Sequence, residues 1–165
     1  GSRLLFPSSE RDQIRPLLAD ALSKVSSLLS AIAVEQPILE QVRASRRALG
    51  LSLLNAEASY QRLITETGIP PEQSEAVLTM LLYAHRFTSG LIAIAFARGT
   101  DLHARLMQRA EPLQHALLDI RDAVAERGTP RPVPEPEPTH EVAERVELLF
   151  EQLAIVRDAC LRFRV

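Results

Sequence analysis

The side chains of this sequence that could carry chemistry are concentrated in one predicted helix. Arg46 stands where the apolar repeat of Val42 and Leu49 predicts a core position. Glu57 follows eleven residues later and returns to nearly the same helix face after three turns. Because a buried charge must be paired, we expect Glu57 to form an internal ion pair with Arg46 or with Arg86 of the next helix.

The polar residues around this expected ion pair allow two interpretations. In the first, they form an internal polar network that fixes the register of neighbouring helices, with Asn55 hydrogen-bonding across them. A stripe of small and polar residues that permits close helix approach belongs to this cluster, and it consists of Ser45, Ala48, Ser52, Asn55 and Ser59, closed by Arg62. In the second, they line a small pocket for an anionic ligand, where arginine holds a carboxylate through two parallel hydrogen bonds. The first is favoured, because structural ion-pair networks produce such clusters as readily as functional sites do. The candidate ligand-binding residues are Arg46, Asn55, Glu57, Arg62, His85 and Arg86.

No catalytic or metal-binding motif accompanies these residues. The sequence contains no glycine-rich phosphate loop, no HExxH and no CxxC, which favours a protein that is not an enzyme and has no catalytic residues. None of its four histidines has another histidine at i+4, so we expect neither a metal site nor a cofactor. Cys160 lies on an apolar helix face and is expected to pack as a small hydrophobic residue. The alternative, an enzyme, would require Glu57, His85 and His103 to converge in a pocket.

The elements that must position these residues are helices. Hydrophobic residues make up 46% of the 165-residue chain, aromatic residues make up 4%, and no alternating strand pattern is present. Apolar repeats of three and four residues predict an all-α antiparallel bundle of about five helices. Gly1 and Ser2 are interpreted as an expression scar, and residues 3–165 as a single domain. The predicted helices cover about 9–36, 38–67, 71–97, 101–127 and 139–163.

Residues 128–138 form a proline-rich spacer between the fourth and fifth predicted helices. Proline occupies every second position from Pro130 to Pro138, a pattern typical of an extended polyproline II segment. Ten residues in this conformation reach roughly 30 Å, which is about the length of a 20-residue helix. We therefore expect the spacer to carry the chain back along the bundle.

The third predicted helix is apolar on nearly all sides over residues 76–97, so we expect it to be the most buried. His85 and Arg86 lie near its middle, and an arginine at a bilayer centre costs at least about 2.5 kcal/mol. A helix at the centre of a soluble bundle is therefore favoured over a membrane span. The net charge of −2, from 19 basic and 21 acidic residues without a block of like charge, predicts no nucleic-acid partner.

Two segments of the sequence, RRALGLSLLNAEASYQRL at 46–63 and LYAHRFTSGL at 82–91, resemble the fusaric acid resistance (FUSC) family. Members of this family are bacterial inner-membrane proteins similar to aromatic acid exporters, in which transmembrane blocks alternate with cytoplasmic helical regions. The matching segments resemble the cytoplasmic region that follows the last transmembrane block. This sequence departs from the family in showing no credible transmembrane block. The family-like positions are Arg46, Arg47, Asn55, Glu57, Gln61 and Arg62.

The resemblance implies a soluble cytoplasmic regulatory or assembly domain of a FUSC-type transporter, located at the cytoplasmic face of the bacterial inner membrane. The transporter would export aromatic acids or similar compounds. The implied partners are the transmembrane portion of the parent protein, a second copy in a homo-oligomer, and a small anionic aromatic ligand. A stand-alone helical protein-interaction or scaffold module is the alternative, because long helices and a proline-rich spacer suit it equally well.

Overall fold

A computed structural model of the chain describes residues 10–97, 99–138 and 141–164. Over these residues the chain forms five helices and no strand, which confirms the predicted all-α bundle. The predicted helix starts at Ser9 and Thr139 lie outside the described residues. The helices are α1 Glu10–Ile32, α2 Leu39–Leu63, α3 Pro71–Phe96, α4 Asp101–Glu126 and α5 Glu141–Arg162.

Local signals account for the starts of α3 and α4, but not for the end of α2. Pro71 occupies the first position of α3, where its missing N–H needs no partner, and the Thr100 hydroxyl caps the start of α4. α2 ends at Leu63, a full turn before the predicted end at about residue 67. The chain turns there and brings Glu66 to the start of α1, where its carboxylate accepts a hydrogen bond from the Glu10 N–H at 2.6 Å. A tertiary contact therefore accompanies the early end of α2.

The first four helices alternate in direction. α1 and α2 are antiparallel, because the Ser59 hydroxyl near the end of α2 donates to the Glu10 carboxylate at the start of α1, at 2.7 Å. α1 and α4 are also antiparallel, because the ring of His103 near the start of α4 lies 2.9 Å from the Ile32 carbonyl at the end of α1. α2 packs mainly against α1, and α3 packs mainly against α5.

The proline-rich spacer runs back along α4, as the sequence predicts. Its first residues lie beside the second half of α4, where the Arg131 N–H donates to the Asp119 carboxylate at 2.6 Å. Its last residues lie beside the first turns of α4, where Arg105 Nη2 donates to the Glu137 carboxylate at 2.8 Å. α5 therefore begins near the start of α4 and runs parallel to it, so the bundle is not antiparallel throughout.

The core is aliphatic, as the composition predicts, and its largest fully buried side chains are Phe87, Phe150 and Phe163. Cys160 packs within it as a small hydrophobic residue, as expected, and burial raises the pKa of its thiol. All five helices contribute to one continuous cluster of buried residues. The helices are therefore held together mainly by removal of apolar surface from water.

The expectation that the third helix is the most buried is wrong. α3 buries nine of its 26 residues, whereas α1 buries eleven of its 23. The reason is the position of α2, which packs mainly on α1 and leaves the outer side of α3 uncovered. By length and composition α3 is also the one described helix that could cross a membrane. Core helices of soluble proteins meet the same two criteria, so they do not distinguish a membrane span from a core helix.

Arg15 is a buried cation that joins three helices. The residue is 6% exposed, and burial lowers the pKa of its guanidinium. Its Nη1 donates to the Val124 carbonyl at 2.9 Å, and its Nη2 donates to the Phe163 carbonyl at 3.1 Å. Carbonyls at helix C-termini lack partners within their own helix, so Arg15 of α1 supplies donors to the ends of both α4 and α5.

Replacing Arg15 with leucine should lower the free energy of unfolding by about 2–4 kcal/mol, because two helix-end carbonyls lose their donor. The control is Arg47→Leu, which removes the same charge from an exposed position of α2 and should change stability by less than about 0.5 kcal/mol. Urea denaturation followed by circular dichroism measures both. Equal effects of the two variants would contradict the role assigned to Arg15.

Candidate functional site

The structure does not bring the six candidate ligand-binding residues together. Arg46 is exposed, and Glu57 shares a hydrogen bond with His85 at the protein surface. The predicted internal pairing of Glu57 with Arg46 or Arg86 is therefore wrong. The apolar repeat indicated a core position for Arg46, but α2 buries only the stripe around Leu49 and leaves Arg46 at an open border with α3.

Two other candidates have local partners of their own. Arg62 Nε donates to the Glu10 carboxylate at 2.6 Å, and Arg86 lies over the ring of Tyr83, 4.6 Å from its centre. Burial opposes ionisation of Glu10, but hydrogen bonds from Ser59 and Arg62 hold its pKa below the usual value. Arg62 therefore fastens α2 to α1, and Arg86 covers an aromatic side chain of its own helix.

A polar network does fix the register of α1 and α2, and the predicted stripe of small and polar residues supplies its α2 members. Ser52 and Ser59 are buried, and their hydroxyls donate to the carboxylates of Asp20 and Glu10. Small side chains at these positions leave room for the two helix backbones to approach. Asn55, which was expected to hydrogen-bond between helices, is exposed. Ser52, Ser59 and Arg62 of the predicted stripe therefore belong to the network, whereas Asn55 does not, and the acidic partners on α1 were not predicted.

Of the three residues that an enzyme would require, the structure brings together two. Glu57 and His85 are hydrogen-bonded, whereas His103 is buried in another part of the bundle beside the Ile32 carbonyl. Among the described residues, no group of three or more histidine, cysteine, aspartate or glutamate side chains is arranged to hold a metal ion.

Glu147 of α5 is a buried acidic residue that the sequence analysis missed. Its side chain is 4% exposed, and its carboxylate lies 3.2 Å from Arg105 Nη2 and 3.1 Å from Arg109 Nη2. The same carboxylate accepts a hydrogen bond from the Glu137 N–H of the spacer at 2.9 Å. The one sequence signal for this site is the i, i+4 spacing of Arg105 and Arg109, which places both on one face of α4.

We name these four residues, Glu137, Glu147, Arg105 and Arg109, the spacer clamp. Its two guanidinium groups face two carboxylates, so its charges balance. The hydrogen bond from Arg105, together with the positive charge of Arg109, lowers the pKa of Glu137. Arg109 also lies over the ring of Phe150, 4.1 Å from its centre. Because its charged groups are paired within the protein, the clamp fastens the spacer to α4 and α5 and offers little to a charged ligand.

A cleft of about 440 Å³ opens between the first turns of α2 and the last turns of α3, and we name it the α2–α3 cleft. Its volume lies within the range of roughly 300–1,000 Å³ that is typical of small-molecule sites. Arg43 and Arg46 contribute its charged lining, so Arg46 is the one candidate that the structure places at this cavity. Its apolar lining consists of Pro37, Leu39, Val42, Ile92, Ala95 and Phe96. The candidates outside this lining are Asn55, Glu57, Arg62, His85 and Arg86.

The spacer clamp generates a prediction about Glu147. The substitution Glu147→Gln should destabilise the fold by about 2–3 kcal/mol, because two partly buried arginines lose a charged acceptor. It should also speed hydrogen exchange at the Glu137 N–H. The control Glu151→Gln removes the same charge from an exposed position of α5 and should leave both quantities nearly unchanged. If the two variants exchange and unfold alike, the clamp does not hold the spacer.

In comparisons with known proteins, no family model, no curated protein sequence and no solved structure matches this chain. The resemblance to the FUSC family therefore stays a prediction made from residues 46–63 and 82–91.

Proposed function

We propose that this chain is a soluble cytoplasmic regulatory or assembly domain of a FUSC-type bacterial inner-membrane transporter, and that it acts by docking rather than by catalysis. The resemblance of two segments in α2 and α3 supports the family. An exposed apolar surface on the same two helices supports docking, and this surface is the observation that carries the proposal. We name it the α2–α3 face, and it consists of Leu51, Leu54, Leu78, Leu82 and Phe96.

The α2–α3 face is apolar although it is accessible to water. Leu51 and Leu54 are each 63% exposed, and Phe96 is 84% exposed. Single exposed leucines are normal on soluble proteins, whereas an apolar stripe that continues along a helix is typical of an interaction surface. The stripe on α3 recurs at four, seven, four and three residues through Leu78, Leu82, Ser89, Ala93 and Phe96, and the exposed His85 and Arg86 interrupt it after Leu82.

The partner that fits this face best is another helix. Side chains spaced at three and four residues form a ridge that packs into the groove of a second helix. Ser89 and Ala93 are small, so a partner backbone can approach α3 closely between Leu82 and Phe96. In the proposed transporter this partner is a helix of the membrane portion, and a second copy of the domain is the alternative occupant.

The double substitution Leu78→Gln and Leu82→Gln, made in the full-length parent protein, tests this docking. We expect it to reduce assembly, measured as the size and abundance of the detergent-solubilised complex, because the partner helix loses its apolar anchors. Both leucines are nearly half exposed, so the isolated domain should keep its free energy of unfolding within about 1 kcal/mol. The control is Leu148→Gln on α5, a leucine of 47% exposure outside the α2–α3 face, and it should leave assembly unchanged.

Two results would each overturn one part of the proposal. If the natural coding sequence before Arg3 contains no run of hydrophobic spans, the link to a membrane transporter fails. If the double variant assembles as well as the wild type and the Leu148→Gln control, the α2–α3 face is not the docking surface. A complex that forms between isolated domains and disappears in the double variant would assign the face to homo-oligomerisation.

A further inference from the structure

The α2–α3 cleft combines apolar walls with Arg46, an arginine that no acidic side chain neutralises within the part of the chain that the structure describes. Val42 of α2 and Ile92 of α3 belong to opposite walls. Among the described residues Arg46 forms no ion pair, whereas Arg43 Nη1 lies 3.5 Å from the Glu40 carboxylate. The charge of Arg46 is thus available to a group that enters the cleft.

The charged side chains that line the cleft determine whether it favours an anionic or a cationic ligand. The described lining contains two guanidinium groups and no carboxylate, so a negative group is favoured over a positive one. A guanidinium presents parallel N–H donors that match the oxygens of a carboxylate or a phosphate. The anionic group of a ligand would therefore lie at the Arg46 end of the lining.

The apolar side chains of the cleft walls determine which uncharged part of a ligand can bind there. They are aliphatic except for Phe96, and that ring is 84% exposed. Walls of this kind favour a flexible alkyl chain over a flat aromatic body, because they provide no pair of facing rings for stacking. Burial of each methylene group in such a cleft tightens binding, but by less than complete burial would, since part of the chain stays in contact with water.

We propose that the α2–α3 cleft binds an amphiphilic anion, a molecule with an alkyl chain and one carboxylate or phosphate group. The alkyl chain lies between Val42 and Ile92, and the anionic group accepts hydrogen bonds from Arg46. A free fatty carboxylate and an anionic membrane lipid share this chemistry. Phe96 belongs to both the cleft and the α2–α3 face, but Leu78 and Leu82, which test docking, do not line the cleft, so the two proposals can fail separately.

Octanoate is the first probe, with 1-octanol as the uncharged probe of the same chain length. Titrated into the ¹⁵N-labelled chain below its micelle-forming concentration, octanoate should shift the amide signals of residues 39–46 and 92–96. We expect a dissociation constant of about 1 mM or tighter, given the small size of the probe. The alcohol should bind at least about tenfold more weakly, because it lacks the charge that Arg46 recognises.

Two matched variants show whether octanoate binds specifically in the cleft or is attracted to any positive charge on the protein surface. Arg46→Gln should weaken octanoate binding about tenfold, because the charge-assisted hydrogen bonds are lost. Arg47→Gln removes the same charge from the adjacent exposed position outside the cleft and should change the dissociation constant by less than about twofold. Both positions are exposed, so both variants should fold, which circular dichroism checks.

Sedimentation with phosphatidylglycerol vesicles then distinguishes the two sources of the ligand. Vesicle binding that octanoate competes away and that Arg46→Gln abolishes assigns the cleft to a membrane lipid. Octanoate binding without vesicle binding assigns it to a free fatty carboxylate. The proposal is overturned if octanoate shifts no cleft signal, if octanol binds equally well, or if Arg46→Gln and Arg47→Gln weaken binding to the same extent.

Discussion

The architecture depends on a carboxylate that has been removed from water. Glu147 is nearly inaccessible to solvent, so its charge must be balanced by protein groups, and Arg105, Arg109 and the Glu137 N–H supply them. These groups come from α4 and from the spacer, which means that α5 can dock only after the chain has returned along α4. The parallel alignment of α4 and α5 follows from this requirement. α5 then brings Phe150 into the core beneath Arg109.

The helices and the spacer could be predicted because their signals are local. An apolar repeat needs only residues within two or three turns, and alternating prolines fix their own backbone conformation. The buried charges could not be predicted in the same way. The acceptors of Arg15 lie 109 and 148 residues later in the sequence, and Glu147 meets Arg105 across 42 residues. Apart from the i, i+4 spacing of Arg105 and Arg109, no local feature separates these three residues from the many charged residues that face water.

In the candidate site, too, local sequence patterns predicted the buried helix face, but they did not predict which side chains neighbouring helices would cover. Periodicity identified the centre of the buried stripe of α2, but it could not show how far the neighbouring helices extend at the edge of that stripe. Arg46 lies at this edge, where α2 and α3 leave a cleft instead of a packed interface. The apolar composition of α3 likewise could not reveal that Leu78 and Leu82 would remain uncovered. Coverage of a helix depends on its neighbours, and their positions are set by contacts distant in sequence.

The hydrogen bonds of Arg15 also impose an order on the folding of the nascent chain. α1 and α2 are synthesised before α4 and α5, and a contact such as that between Ser59 and Glu10 spans only 49 residues, so a helical hairpin can form early. The carbonyls of Val124 and Phe163 do not yet exist at that stage. The hairpin therefore carries a hydrated cation on its inner apolar side until α5 has been synthesised. α1 precedes the other four described helices in the sequence, yet its buried cation gains both of its carbonyl acceptors only when α5 docks.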